Sequence, residues 1–365
     1  MTIKIDISAS GQIYPALIGV GLLKQLPVIL DEYAPAYRYA VISDDQVGPL
    51  YATAVLERCR SAGKKVDLHS FPAGEVSKTR KSWSKLTDDL LDAGHGRDSC
   101  IIAVGGGVTG DLAAFVAATF LRGVPLIQVP TSYLAMIDAA IGGKAGVDTR
   151  AGKNLVGAFH PPKCVIADPD VLSTLPSDER SGGLVEAFKH GAILDAAYYD
   201  DLRADTELLL DADPVAAKAA VAASIRLKGQ VVTQDELEGG YRQILNFGHT
   251  LGHALEAASG YSLSHGAAVA AGMVMEAELG EHLRVTESGT SKTLSSGLAG
   301  LGLRLESLSQ VDPEAVMSFL SSDKKRRSGR SRYVLLRRIG EVENTEGWSR
   351  EVPDLLVQEV IEDLS

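Results

Sequence analysis

Short apolar, β-branched runs alternate with longer amphipathic stretches through the first half of the chain. Ile3–Ile7, Tyr39–Ser43, Val66–Phe71, Cys100–Val104, Leu126–Val129 and Cys164–Ala167 read as strands, and residues 46–62, 78–93 and 108–121 read as helices. Strands separated by helices pair in parallel, because only a crossover returns the chain to the same edge of a sheet. The pattern therefore predicts an α/β domain with a Rossmann-like parallel sheet. From about Leu184 the texture changes. Asp201–Leu210, Pro214–Thr233 and Ala267–Leu283 are Ala/Leu/Glu-rich and have helical period, with one late β-type run at Arg332–Leu336. The polar stretch LSTLPSDERSGG carries Pro and Gly between the two textures and reads as a link. The expected division is an α/β domain over 1–177 and an all-α domain over 178–365.

Composition narrows the classes of function. A chain of 365 residues, 45% of them apolar, is long enough for two domains and too apolar for disorder. Thirty-six Lys and Arg against 47 Asp and Glu leave a net charge of −11, which argues against a nucleic-acid partner held by general electrostatics. Small anions remain open, because a few local cations suffice for them. That places the excess acid on the outside. No apolar run reaches the ~18 residues that span a bilayer, and MTIKIDISASGQ lacks a signal-peptide pattern. Cys59, Cys100 and Cys164 are scattered and fit no metal or redox spacing. A cytoplasmic protein without a membrane partner is expected.

Three segments carry candidate chemistry. IIAVGGGVTGDLAAFVAATFLRG is a buried strand, a glycine turn and a helix, and Gly105, Gly107 and Gly110 fit G-x-G-x-x-G. Such a turn brings backbone N–H groups and a helix N-terminus to a pyrophosphate. The acid expected about 20 residues later for a ribose is missing, and the loop does not follow the first strand. Asp44 and Asp45, at the end of an earlier strand, are either the ribose contact or the cap of the next helix. In QILNFGHTLGHALEAASG, Asn246, His249 and His253 recur at spacings of three and four, which predicts one helical face. His265 follows closely. H-x-x-x-H without the Glu of H-E-x-x-H disfavours a zinc protease. Glu186 and Lys189 in GGLVEAFKHG are three apart, either an intrahelical ion pair or a carboxylate ready to join the imidazoles at an open catalytic metal site.

The third segment, PTSYLAMIDAAIGGKAGVDTRAGKNLVGAFHPPK, sets glycines beside Lys144, Lys153 and Asn154, as a loop closing around a small anion would. DKKRRSGRSRY is strongly basic but short and solitary, and a solvated turn or a phosphate-reaching lysine suits it better than a nucleic-acid patch.

Taken in order and spacing, GGGVTGD, RGVPLIQVPTSYLAMIDAAIGGKAGVD, GKNLVGAFHPP, TLPSDE, GGLVEAFKHG, NFGHTLGHALE and HGAAVAAGM resemble the 3-dehydroquinate synthase family of sugar phosphate cyclases, from about Asp44 to Gly340. The resemblance implies an NAD-binding α/β domain, a helical domain, and a homodimer. It implies zinc or cobalt on Glu186, His249 and His265, with His253 lining the site. Arg122, Asp138, Lys144, Asn154, Lys189, Lys228, Arg242, Asn246, His253 and Lys325 would surround a small anionic sugar-acid phosphate. NAD would lie against Asp44, Glu75, Lys78, Gly105, Gly106, Gly107, Asp111, Thr131, Ser132, Lys144, Lys153 and Thr174. The implied reaction oxidises 3-deoxy-arabino-heptulosonate 7-phosphate transiently, eliminates phosphate, returns the electrons and closes a carbocycle by an aldol step. Close rivals are cyclases acting on amino or non-carboxylated sugar phosphates, an iron-type polyol dehydrogenase, and an NAD-binding protein without catalysis. Ala267 stands where the family has Glu; Gln46, Ser132, Ala139, Ala140 and Asp148 replace Asn, Thr, Ser, Ser and Asn.

Overall fold

The computed structural model describes residues 1–304, 308, 311–322 and 331–363. Contacts divide the chain into two units, Met1–Leu175 with Ala212–Glu236, and Pro176–Asp211 with Leu237–Ser365.

The first unit is built on a seven-stranded sheet. Its elements are β1 (Ile3–Ala9), β2 (Gln12–Ile18), α1 (Leu26–Tyr33), β3 (Arg38–Asp44), α2 (Thr53–Ser61), β4 (Val66–Phe71), α3 (Arg80–Asp92), β5 (Ser99–Gly105), α4 (Gly107–Thr119), β6 (Leu126–Pro130), β7 (Lys144–Thr149), β8 (Gly152–Phe159) and β9 (Cys164–Ala167). Across the sheet the order is β1-β2-β9-β6-β5-β3-β4. Only the β1–β2 pair is antiparallel. Successive side chains of a strand face opposite ways, and both faces are apolar here. Tyr39, Val41, Cys100 and Ile102 join α1 and α2 in one core, while Ala40, Ile42, Ile101 and Ala103 join α3 and α4 in the other. Helices on both faces of a parallel sheet make the predicted α/β fold.

Numbered among themselves, the parallel strands β3, β4, β5, β6 and β9 lie in the order 2-1-3-4-5. The winding therefore reverses between β3 and β5, and ligands of such sheets bind beyond the carboxyl ends of the strands at that reversal.

All six predicted strands are present. β2 escaped notice because Pro15 interrupts its pattern, and proline normally argues against a strand. The pair β7–β8 escaped because its glycines read as loop.

The second unit contains α5 (Ser177–Leu194), α6 (Ala196–Ala204), α7 (Thr206–Leu210), α9 (His249–Ala258), α10 (His265–His282), α11 (Thr290–Ala299), α12 (Pro313–Ser322) and α13 (Asp354–Glu362). Two short ladders accompany them, β10 (Arg332–Tyr333) with β13 (Arg350–Glu351), and β11 (Leu336–Arg338) with β12 (Glu341–Val342). The expected polar link at residues 172–183 is largely the start of α5, with Asp178 and Glu179 in its first turn, where acids suit the helix dipole. One helix departs from a single cut at 177. α8 (Pro214–Gln234) belongs to the first unit, with Gly229 against Ile7 of β1 and Thr233 Oγ1 accepting from Ser8 N at 3.3 Å. Its apolar side covers the hairpin, which the pattern along the chain does not disclose.

The three cysteines are free and buried. Burial pushes Cys59 up to about 11 and Cys100 and Cys164 up to about 12, so their thiolates are scarce at neutral pH. Among the described residues no helix is long and apolar enough to cross a membrane.

Candidate active site

In the first unit, the strand ends at the reversal carry the glycine turn. β5 closes on Gly105, and α4 starts at Gly107 with Gly106 as its cap. A side chain on Gly105 would come 2.4 Å from the Thr109 hydroxyl, so glycine lets the helix begin directly over the strand. No side chain caps α4, which leaves its first N–H groups in the arrangement that suits a phosphate. Thr131 N donates to Gly105 O at 2.9 Å, and a Cβ on Gly106 would lie 3.6 Å from Ser132 Oγ. Asp44 is buried at the end of β3. Its Oδ1 accepts from the N–H groups of Gln46 (3.0 Å) and Val47 (2.8 Å), and its Oδ2 from Thr109 Oγ1 (2.9 Å). The carboxylate thus caps the following turn and ties it to α4. Thr174 pairs its hydroxyl with Tyr51 OH at 2.6 Å.

Beside this turn lies a cluster of paired charges. Lys78, 4% exposed, donates to Asp111 Oδ2 at 2.6 Å and stands 3.9 Å from Glu75 Oε1. Burial raises the carboxyls of Glu75 and Asp111, with Lys78 opposing in both cases. Burial pulls Lys78 down, but Asp111, Glu75 and Asp148 together outweigh it and the net shift is upward. Asp148 and Lys153 also act on Glu75. Lys228, on α8, donates to both the carbonyl oxygen and Oδ1 of Asp138 at 2.6 Å. Both of these charges act on Asp111, so the two ion pairs are neighbours.

The lysine–glycine segment is not the expected anion-closing loop. It folds as the β7–β8 hairpin, with Lys144 opposite Phe159 and Thr149 opposite Gly152. Lys144 therefore sits at the open end, and Lys153 and Asn154 sit near the turn. Its glycines serve strand contact: a Cβ on Gly157 would lie 2.1 Å from Ala145 O. Asn154 has φ 54° and donates its N–H to Asp148 Oδ1 at 2.7 Å. Arg122 lies in a turn where φ is 49°, 69° and 115° at Leu121, Arg122 and Gly123. Backbone of this kind costs about 1–2 kcal/mol per non-glycine residue and fixes the turn after α4.

The second unit assembles the histidines. A Cβ on Gly266 would lie 2.5 Å from Gly182 Cα, and one on Gly272 would lie 2.1 Å from Gly248 O. At these points α10 meets α5 and the start of α9 backbone to backbone, and the side chains nearby converge. Glu186 Oε1 lies 3.6 Å from His249 Nε2 and 3.9 Å from His265 Nε2, while its Oε2 is paired with Lys189. One donor atom from each of Glu186, His249 and His265 falls within 4.8 Å of the others. The Nδ1 atoms face acceptors: Phe247 O at 3.2 Å for His249 and Glu256 Oε2 at 3.4 Å for His265. Such partners put the proton on Nδ1 and aim the Nε2 lone pairs at Glu186, the outer support typical of metal-ligating imidazoles. Burial first, and then the charge of Lys189, hold His249 well below its usual pKa, so it is neutral at pH 7. Two imidazoles and a carboxylate form the donor set of a catalytic divalent-metal site with an open position. His253 stands edge-on to His249, with centroids 5.3 Å apart, and stacks on His265 at 5.9 Å.

The predicted single stripe is broken. Gly248 has φ 77° and α9 begins at His249, whereas Asn246 ends a separate 3₁₀ turn over Tyr241–Asn246. Only His249 and His253 share a helical face. Asn246 Nδ2 donates to Glu238 Oε1 at 2.7 Å, and Arg242, on the same turn, is 2% exposed. Lys325 lies outside the described residues. Ala267 is buried in the apolar cluster around Leu251 and Leu255. Two supporting acids went unremarked, Glu256 and Glu276. Glu256 carries a signal, a carboxylate among Ala and Leu in HALEAA, whereas Glu276 shares its helix with Glu278 and Glu281 and does not stand out. Glu276 is 0% exposed and accepts from the N–H groups of Gly248 (2.8 Å) and Leu251 (3.5 Å).

Known proteins resemble the chain over most of its length. The model of the 3-dehydroquinate synthase N-terminal region matches residues 68–181, and that of the C-terminal region matches residues 183–326. A 3-dehydroquinate synthase of Xylella fastidiosa is 44% identical over 338 residues, 90% of this chain and 86% of that protein. One of Symbiobacterium thermophilum is 43% identical over 331 residues, 90% and 92% respectively. Among solved structures, 2-deoxy-scyllo-inosose synthase complexed with carbaglucose-6-phosphate, NAD+ and Co2+ matches all of both chains with a TM-score of 0.90 at 26% identity.

Proposed function

The chain belongs to the 3-dehydroquinate synthase family, and from that membership we propose that it converts 3-deoxy-arabino-heptulosonate 7-phosphate to 3-dehydroquinate and phosphate. The observation that carries the proposal is the convergence of Glu186, His249 and His265 with both Nε2 atoms turned to one carboxylate oxygen. The donor set fits zinc or cobalt. The turn at the sheet reversal, Gly105–Gly107 with Thr131 and Ser132, fits the pyrophosphate of NAD. Asp44, Glu75, Lys78, Asp111, Lys144, Lys153 and Thr174 complete the set assigned to that cofactor. When bound, NAD supplies a reversible two-electron acceptor and the divalent cation a Lewis acid.

The chain's own groups do the rest. Lys189 holds Glu186 Oε2 and leaves Oε1 for the cation. Glu256 orients His265. His253, beside both ligand imidazoles, is placed to move protons as general acid and base. Arg122, Asp138, Lys144, Asn154, Lys189, Lys228, Arg242, Asn246 and Lys325 are assigned to the substrate. Arg242 offers a planar fork suited to a carboxylate or phosphate. Homodimer formation and a cytoplasmic location belong to the same proposal.

The test supplies the purified protein, with NAD and zinc or cobalt, with this substrate and with sedoheptulose 7-phosphate and glucose 6-phosphate. Phosphate release from the first, without net NADH, is expected. Release only from a non-carboxylated sugar phosphate, or NADH accumulating in proportion to turnover, overturns the assignment.

A further inference from the structure

We propose that Asp67, His69 and His95 form a second divalent-metal site, in the first unit, selective for a borderline cation such as Zn2+. The three residues share nothing with Glu186, His249 and His265, and the inference does not rest on the proposed reaction. β4 is the last strand of the sheet, and Asp67 and His69, two apart on it, project to the same side. His95 comes from the turn after α3, whose Leu86 and Leu90 pack on that side.

The arrangement has the features of a built site. Asp67 Oδ2 faces both imidazoles, 2.6 Å from His95 Nε2 and 3.5 Å from His69 Nε2, and donor atoms of all three lie within 4.8 Å of one another. Donors around a tetrahedral zinc with bonds near 2.0–2.1 Å are roughly 3.3 Å apart, so shifts of under about 1 Å would seat the ion. Each flanking group is held from behind. Arg38 Nε lies 3.4 Å from Asp67 Oδ1 and turns that oxygen away, while Ser99 Oγ lies 3.1 Å from His95 Nδ1. His69 supplies the independent sign. Its side chain is only 10% exposed, its Nε2 is enclosed, and Asp67 Oδ2, at 3.5 Å, is too far for a well-formed hydrogen bond. Buried polar atoms are normally partnered, and a cation on Asp67 Oδ2 would partner this one. Asp67 is 26% exposed, which leaves a path for the ion and a side open to water. Two imidazoles and one carboxylate favour zinc over magnesium or calcium, which take oxygen donors. Binding replaces the hydrogen bond between His95 Nε2 and Asp67 Oδ2, the imidazole proton then lying on Nδ1, which faces Ser99 Oγ.

The experiment is equilibrium dialysis of the full-length protein against micromolar Zn2+ at pH 7.5, with metal quantified by plasma emission. Two equivalents are expected in the wild type. His69→Ala and His95→Ala should each retain one, with turnover unchanged, and His265→Ala should retain the other one and lose turnover. A single equivalent in the wild type overturns the proposal, as does a second equivalent that survives in His69→Ala or His95→Ala. Zinc-edge anomalous diffraction from wild-type crystals grown with zinc gives a reading independent of how the variants fold. A peak among Asp67, His69 and His95 supports the site, and its absence refutes it.

Discussion

Glu276 offers the most demanding check on how the helix that carries His249 and His253 is held. α9 begins at His249, and its N-cap residue Gly248 has no side chain with which to cap it. The cap comes instead from α10, where the fully buried Glu276 accepts from Gly248 N at 2.8 Å and Leu251 N at 3.5 Å. Glu276→Gln keeps the volume but removes the charge and turns an amide N–H₂ toward backbone donors. A charge-assisted bond is worth about 1.5–3 kcal/mol against about 1 kcal/mol for a neutral one. The lost interaction with the helix dipole adds about 0.3–1 kcal/mol. The expected cost is therefore about 2 kcal/mol, which for a unit of this size lowers Tm by about 4–8 °C. His249 follows Gly248 directly, so zinc affinity should fall about 10–100-fold, the usual effect of losing an outer support. Circular dichroism melts of the metal-free protein and competition with a chromogenic chelator measure the two. A Tm within 1 °C of wild type (about 0.3–0.5 kcal/mol by the same conversion) with unchanged zinc affinity would refute the capping role.

Other outcomes follow from the same geometry. Lys78→Met leaves the half-buried Asp111 carboxylate without its cation and should cost about 1–3 kcal/mol at pH 7.5 by urea denaturation; burial raises the Asp111 carboxyl, so the deficit should shrink as the pH falls and Asp111 takes up a proton, and a pH-independent deficit would count against the pair. Gly266→Ala places a methyl 2.5 Å from Gly182 Cα, so α10 must move off α5; a loss of about 1–3 kcal/mol is expected together with weaker zinc binding, and unchanged affinity would contradict the convergence described. His249 is depressed by burial and by Lys189, so below about pH 6.5 the unfolded chain binds a proton that the folded one does not. Stability of the metal-free protein should then rise with pH up to about 6.5, by at most about 1.4 kcal/mol per unit from this group, and His249→Asn should flatten that slope.

How much of this was legible along the chain depends on whether the determinant is local. The parallel strands announce themselves because both faces are covered, and runs such as Cys100–Val104 are apolar at every position. The reversal between β3 and β5 is a property of strand order, so the meeting of Asp44 with Thr109 could not be read from either segment. The histidines were legible as a group, but not their separation from Asn246, because the left-handed Gly248 breaks what looks like one helical period. The lysine hairpin is not legible because glycines that relieve contact between strands and glycines that close a loop on an anion look alike in sequence. Glu256, a lone acid in HALEAA, is legible as a supported carboxylate, while Glu276 is masked by Glu278 and Glu281 beside it.

The acid excess shows why net charge says little about a site. The sequence placed the acids outside, yet Asp44, Asp168, Glu186, Glu256, Glu276 and Glu343 are all buried. A buried carboxylate persists only with donors or cations around it, so each one marks a place where the fold has supplied a partner. Asp44 takes backbone N–H groups and a hydroxyl, and Glu276 takes the start of a helix. Glu186 takes Lys189 on one oxygen and presents the other to two imidazoles, one of them held neutral. Donor hydrogens satisfy the first two. On the other oxygen of Glu186 two lone pairs converge with its own, an arrangement that suits a cation. Asp67, 26% exposed, also turns one oxygen to two imidazoles, the geometry on which the proposed second site rests. Buried acids classified by what faces them thus distinguish structural carboxylates from metal ligands within one chain, which a sum of charges over 365 residues does not.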